Sequence, residues 1–437
     1  MHKITYFLTL LMLGSRLCFG QQQSKQVIPL DTIFSLSERN STHLKLSEVA
    51  IGIKEAAVEV ARNSLLPSID VDLSLKHYGD GKISDRNFSN ITDAPIPDFG
   101  NDFSLQASYL VFAGGAISAT IEKSTLETEV AALSHEKNRV DIHFLVAGHY
   151  LDLYKLYNQK QVFEKNIEQT DEVIRQVEAK LSAGMALDND LTRYELLRQN
   201  LKLSLIEIEN NISIINQHLV ITLGLPEETV ILPDSSVQLV GEQRVLDNNF
   251  LQTALDNRQE IQIQNIKKQL AQKNITLAKA DLYPSVALVV AEILTGPILV
   301  EVPPINKNLN YWFAGVAVKY NIGALYKSKK NIALAEKAYV ASNIAYDAEL
   351  EQTATAVHSA WVKYSEAFEK LATYKKSFEL ADENYSVINN RYKNDLVLIT
   401  EILDASNMKL NAELQVINAK LDVVYQYFKL LRETGTL

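Results

Sequence analysis

The chain has 437 residues and is acidic, with 53 Asp and Glu against 43 Lys and Arg and a formal net charge of −10 at pH 7. No stretch concentrates the basic residues, which argues against a protein that neutralises phosphates and leaves no nucleic acid among the expected partners. The length allows two or three ordinary domains or one elongated body.

The first twenty residues, MHKITYFLTLLMLGSRLCFG, read as a secretory signal peptide. Lys3 gives the charged start, Ile4 to Leu13 the short apolar run, and Cys18 and Gly20 the small residues at −3 and −1. Cleavage is expected before Gln21, which changes the formal charge to −12, from 41 basic and 53 acidic residues. A membrane anchor is the alternative, but the apolar run is too short to span. Lipid attachment at Cys18 is another, although Ser15-Arg16-Leu17 matches a lipobox poorly. Removal of the leader takes away the only cysteine, and with it any disulfide or thiol site. Further on, the nearest thing to a membrane helix is VALVVAEILTGPILV at 286–300, which Glu292, Gly296 and Pro297 interrupt. An exported chain of this kind is periplasmic, extracellular or a β-barrel in an outer membrane.

The remainder is a tandem duplication, with repeats at 21–240 and 241–437. ARNSLLPS at 61–68 matches AKADLYPS at 278–285, and KLSAGMALDNDL at 180–191 matches RYKNDLVLITEI at 391–402. Gly224 in LVITLGLP is echoed by Gly435 in KLLRETGTL. Each copy opens with apolar residues at helical spacing, about 43–64 and 249–280, and breaks at Pro67 or Pro284.

Two strands follow in each copy, about 68–79 and 102–112, then 285–293 and 311–322. In the second strand Phe103, Leu105, Ala107, Tyr109 and Val111 alternate with Ser104, Gln106 and Ser108. Ten residues of period two are what a tilted transmembrane strand needs. A soluble sheet with one wet face suits the same pattern, and the alternation alone leaves both open. Beyond Gly114-Gly115 and Gly323, no Pro interrupts 117–182 or 325–392, and helices about 100 Å long are expected there. Return helices follow at about 188–223 and 396–434.

Helix, strand, loop, strand, very long helix, tip and return helix, given twice, resemble the TolC-type outer-membrane efflux proteins. The residues carrying the resemblance are the Leu-Pro-Ser and Tyr-Pro-Ser strand starts, VFAGGAIS at the strand-to-helix turn, and RYKNDLVLITEILDA. The resemblance implies a mixed, mainly α fold with four transmembrane strands per protomer. Three protomers would then close a twelve-stranded barrel continuous with a periplasmic α-helical tunnel. It implies a passive exit duct for efflux or type I secretion, located in the outer membrane of a Gram-negative cell. Its partners would be a periplasmic adaptor, an inner-membrane pump of RND, ABC or MFS type, and outer-membrane lipid. A soluble periplasmic coiled-coil adaptor or scaffold is the competing architecture.

Glu401 and Asp404, three residues apart, share one face of a helix. As a carboxylate pair they raise a hydrolytic reading, which would need a pocket, aromatic subsites and one raised pKa. Their place just past a turn favours helix-start acids instead. The resemblance implies that Glu401 and Asp404, with Asp190 from the first repeat, form acidic rings at the tunnel entrance. It also makes the tips Gly184, Met185, Ala186, Leu187 and Asp395, Leu396, Val397, Leu398 the adaptor-docking surface. The family's tip glycine is Asp395 in the second repeat, and its basic residue is replaced by Val397. Ser104, Gln106 and Ser108 are expected to face the lumen, with Phe103, Leu105, Tyr109 and Val111 facing lipid. His135, His143 and His149 are spaced too widely for one metal. Tyr150, Tyr154 and Tyr157 read as a helix-packing stripe. No enzyme activity, cofactor or metal is expected.

Overall fold

The computed structural model describes residues 24–234, 249–301, 303–394 and 396–437. The expected leader, 1–20, lies outside these residues, as does Asp395. The chain divides into two units. One comprises the chain up to Glu48, Ser134–Ile261 and Glu349–Leu437; the other comprises Val49–Leu133 and Gln262–Ala348.

The second unit holds a four-stranded antiparallel sheet of β2 (Ser68–His77), β5 (Phe99–Ala113), β7 (Ser285–Gly296) and β8 (Leu309–Lys319), in that order. The β2–β5 loop carries a small hairpin, β3 (Gly81–Ile83) with β4 (Thr92–Ala94). Each repeat thus gives one hairpin, and β5 pairs with β7 to join them. The sheet leaves β2 and β8 as edges whose outward backbone groups have no strand beside them among the described residues.

The first unit is helical. The long helices α3 (Ala116–Ser182) and α7 (Ala324–Lys393), of 67 and 70 residues, contribute residues to both units. Their return partners are α4 (Asp188–Leu223) and α8 (Ile399–Thr434). Each repeat begins with two helices rather than one. These are α1 (Leu30–Asn40) and α2 (Thr42–Arg62) in the first, α5 (Phe250–Asn257) and α6 (Gln259–Ala280) in the second.

The breaks at Ser41 and Arg258 have ψ of 121° in both copies, and both receive the end of a return helix. Gly224 closes α4 at φ 62°, with its Cα facing the Asn40 side chain; Gly435 closes α8 at φ 71° against the backbone of Asn257. Asn40 Nδ2 also donates to Leu223 O at 2.7 Å, satisfying a terminal carbonyl of α4.

A parallel pair absent from the sequence reading, β1 (Ser24–Ile28) with β6 (Thr229–Pro233), lies against this core. Tyr150, fully buried, holds it in place. Its hydroxyl donates to Ile28 O at 2.6 Å and accepts from the Asp234 N–H at 2.7 Å. One member of the expected packing stripe is therefore also a hydrogen-bonded clasp. Around it cluster Ile33, Val146, Leu153, Leu219, Leu223, Ile231 and Phe428.

At the rim of this core runs an ion network. Asp141 accepts from Lys137 Nζ at 2.6 Å and Arg432 Nε at 2.9 Å, and Glu433 pairs with Arg258 at 3.1 Å. Burial works to raise the Asp141 pKa, but the bonds from Lys137 and Arg432 outweigh it and hold the carboxyl below its usual range. A carboxyl with a folded pKa below its unfolded value, about 3.9, stabilises above that pH and loses the contribution as pH falls through the folded value. Melting of the helical signal in detergent should therefore show a drop below about pH 4 that Asp141→Asn flattens. The expected size is of order 1 kcal/mol, since the site is partly solvated. An identical acid limb in wild type and variant would refute this.

Candidate functional site: paired hairpin tips and a two-faced sheet

The α3–α4 and α7–α8 turns are built alike. Met185 N–H donates to Lys180 O at 2.8 Å, and Leu396 N–H donates to Arg391 O at 2.9 Å. Gly184 takes φ 74°, in the left-handed region. Asp395, its counterpart, is outside the described residues.

The return helices start with Leu187 and Leu398 at the cap position, where neither side chain can accept a hydrogen bond. Ser, Thr, Asp or Asn would stabilise a helix start there by about 1 kcal/mol. Two apolar caps at equivalent positions point to a use other than stability. The acids three residues on compensate in part. Asp190 Oδ2 accepts the Leu187 N–H at 3.1 Å, and Glu401 Oε1 faces the Leu398 N–H at 3.5 Å. Asp190 and Glu401 thus occupy the same place in their repeats, and Asp404 is exposed one turn beyond Glu401.

Met185 is 70% exposed, Leu187 69%, Leu396 66% and Leu398 70%, so each tip presents two apolar side chains at matching positions. Ala186 and Val397 between them are only half exposed. Ala186 packs on a cluster of Ile174, Val177, Tyr194 and Ile402, because alternate residues of so tight a turn must face inward. That cluster unites the four long helices behind the tips. Lys180 lies over the Tyr392 ring at 5.0 Å, and Lys409 lies 4.7 Å from the Tyr385 ring while pairing with Asp382 at 2.6 Å. Burial pushes the Tyr194 phenol well above its usual pKa.

Among the described residues no group of three His, Cys, Asp or Glu could hold a metal. The histidines of α3 are dispersed among separate partners. His135 meets Ser47 at 2.8 Å, His143 meets Glu38 at 3.0 Å beside Phe34, and the His149 ring lies tilted to that of His218 with centroids 5.4 Å apart. The arrangement offers electrostatics and surface.

In the sheet, register sorts the strand residues by face. Phe103 pairs with Leu73 and Leu294, Leu105 with Val71 and Glu292, and Tyr109 with Leu288. Ser104, Gln106 and Ser108 pair with Asp72, Asp70 and Ser68 on the opposite face. Val111 departs from the expected alternation. It sits in a β-bulge between Leu110 and Phe112 without a ladder partner, and Phe112 takes the place opposite Val286. Sequence alternation also missed that the polar face is polar only on β2 and β5. On β7 and β8 the same face carries Val289, Ala291 and Ile293 beside Tyr311 and Phe313.

Residues 250–436 match the family model described as outer membrane efflux protein. The pyoverdine export outer membrane protein OpmQ of Pseudomonas aeruginosa is 26% identical over 271 residues, 59% of this chain and 54% of that protein. The OpmQ of Pseudomonas putida is 21% identical over 262 residues, 59% and 55% of the two chains. The chain thus spans about half the length of the curated relatives it matches. Among solved structures, the outer-membrane channel OprN superposes with a TM-score of 0.77 at 17% identity, over 93% of this chain and 90% of that one. VceC of Vibrio cholerae gives 0.75 at 14% identity, over 93% and 96%. These likenesses show the fold.

Proposed function

We propose, from the premise that the chain is a TolC-type outer membrane efflux protein, that three copies form a passive exit duct spanning outer membrane and periplasm. The observation that carries the reading is the sheet. Ile69, Val71, Leu73 and Leu75 of β2 are all exposed on one face, and both edge strands lack outer partners among the described residues. Such a face in water would be a large apolar patch, and such edges in lipid would leave backbone groups unsatisfied. Closure with other copies, apolar face outward, removes both costs; four strands from each of three protomers make twelve. A soluble adaptor would leave them unrelieved.

The inward face then carries Ser104, Gln106 and Ser108 with Asp70 and Asp72, a wetted lane, while Phe103, Leu105, Tyr109 and Phe112 meet lipid. Export in the names of the curated relatives supports the direction of transport. Energy enters through an inner-membrane pump coupled by a periplasmic adaptor, which docks on the Met185–Leu187 and Leu396–Leu398 tips. The pump selects the cargo.

Near the tips, threefold symmetry multiplies Glu401 and Asp404 into six carboxylates around the axis, with three from Asp190 nearby. Converging acids raise the local cation concentration and repel anions. The test is conductance in planar bilayers. Replacing Glu401 with Gln and Asp404 with Asn should raise conductance several-fold and bring the cation-to-anion permeability ratio toward one. Unchanged conductance and selectivity would remove the ring. Release of the wild-type protein from membranes by carbonate would remove the barrel.

A further inference from the structure

Glu292 is an ionisable group on the apolar face of the sheet. It lies in one cross-strand row with Val71, Leu105 and Trp312. The side chain is half-buried and has no hydrogen-bond or ion-pair partner among the described residues. Beside it is a groove of about 380 Å³, lined by Ile69, Leu105, Val290, Glu292 and Trp312 among others. That volume sits at the small end of ligand sites, roughly 300–1,000 Å³.

The row's position along the strands fixes its level. The next row out, Leu73–Phe103–Leu294–Asn310, brings in Asn310, and the one beyond has Asn101 and Gly296. Polarity therefore begins one row, about 7 Å along the strand, beyond Glu292, at the sheet end away from α6 and α7. Trp312 opposite Glu292 is the residue expected where acyl chains give way to headgroups.

We propose that this groove holds one acyl chain of a lipid with a primary-ammonium headgroup, the ammonium paired with the Glu292 carboxylate. The inference rests on the barrel reading. A carboxylate facing lipid without a partner is destabilising, and an ammonium supplies a charge-assisted bond at the right level. A divalent cation bridging to a lipid phosphate is the other way to satisfy it. That route would leave Glu292 as the lone carboxylate, since no cluster of metal-ligating side chains exists among the described residues.

The experiment uses the full-length protein in detergent, stripped of lipid and offered ethanolamine-, choline- and glycerol-headed phospholipids of identical chains. Retained lipid is counted by native mass spectrometry. Wild type should retain the ethanolamine lipid about tenfold over the choline lipid, because only the primary ammonium donates hydrogen bonds. Glu292→Gln should bring the ratio close to one, Glu292→Lys should turn the preference toward the glycerol lipid, and Trp312→Ala should lower retention of all three. Equal retention by wild type, or a ratio unmoved by Glu292→Gln, overturns the proposal. Magnesium-dependent retention of the glycerol lipid overturns it in favour of a bridged phosphate. Failure of the barrel reading shows separately, as release from membranes by carbonate.

Discussion

Replacing Leu187 and Leu398 together by Asp is expected to reduce export in intact cells to the level of a strain lacking the protein. The two residues cap equivalent helices and stand 69% and 70% exposed. Aspartate is among the best N-caps, and its charge suits the positive end of the helix dipole. The substitution should therefore leave folding intact, or stabilise each helix start by up to about 1 kcal/mol, while putting two charges into an apolar contact. A protein that merely needed well-formed tips would work as well or better. Normal membrane insertion and melting temperature with export lost assigns the leucines to docking, whereas preserved export sinks the assignment. Met185→Glu with Leu396→Glu, which spares the caps, should give the same loss.

Gly224→Ala is expected to destabilise the helical unit by about 2–4 kcal/mol. The residue has φ 62°, where a Cβ costs roughly 1–2 kcal/mol. A Cβ there would also lie 2.9 Å from Asn40 Cβ and 3.2 Å from its Cγ. Moving Asn40 away breaks its bond to Leu223 O. The steric part is separable, because Asn40→Gly removes the obstructing atoms. The double variant should accordingly lose less than the sum of the singles, by at least about 1 kcal/mol in denaturant unfolding. Simple additivity would show that backbone conformation alone accounts for the effect and that the helix end does not press on the α1–α2 break.

The duplicated order, the long helices and the alternating strands were legible in the residues themselves, because each depends on local periodicity. Prolines absent over some 66 residues leave little choice but a helix, and period two leaves little choice but a strand. The breaks at Ser41 and Arg258 were not legible. Neither site has Pro or Gly, and each break forms because a return helix ends against it. Val111 falls outside the alternation for a related reason, since a single bulged residue leaves it without a ladder partner and sets Phe112 opposite Val286. At the tips, sequence offered eight residues of similar standing. Only the packed turn separates outward Met185, Leu187, Leu396 and Leu398 from inward Ala186.

By itself, then, the sequence determined which segments are helix or strand, that the pattern occurs twice, and where the acids and tip residues stand along it. Tertiary structure alone decided that Tyr150 clasps β1 and the residue after β6, and that Glu292 shares a row with Trp312. The reason is physical. Periodicity is written within a few neighbouring residues, whereas hydrogen-bond partners and strand register join distant ones: Tyr150 meets Ile28 122 positions away and Asp234 84 away, and Glu292 faces Trp312 across 20.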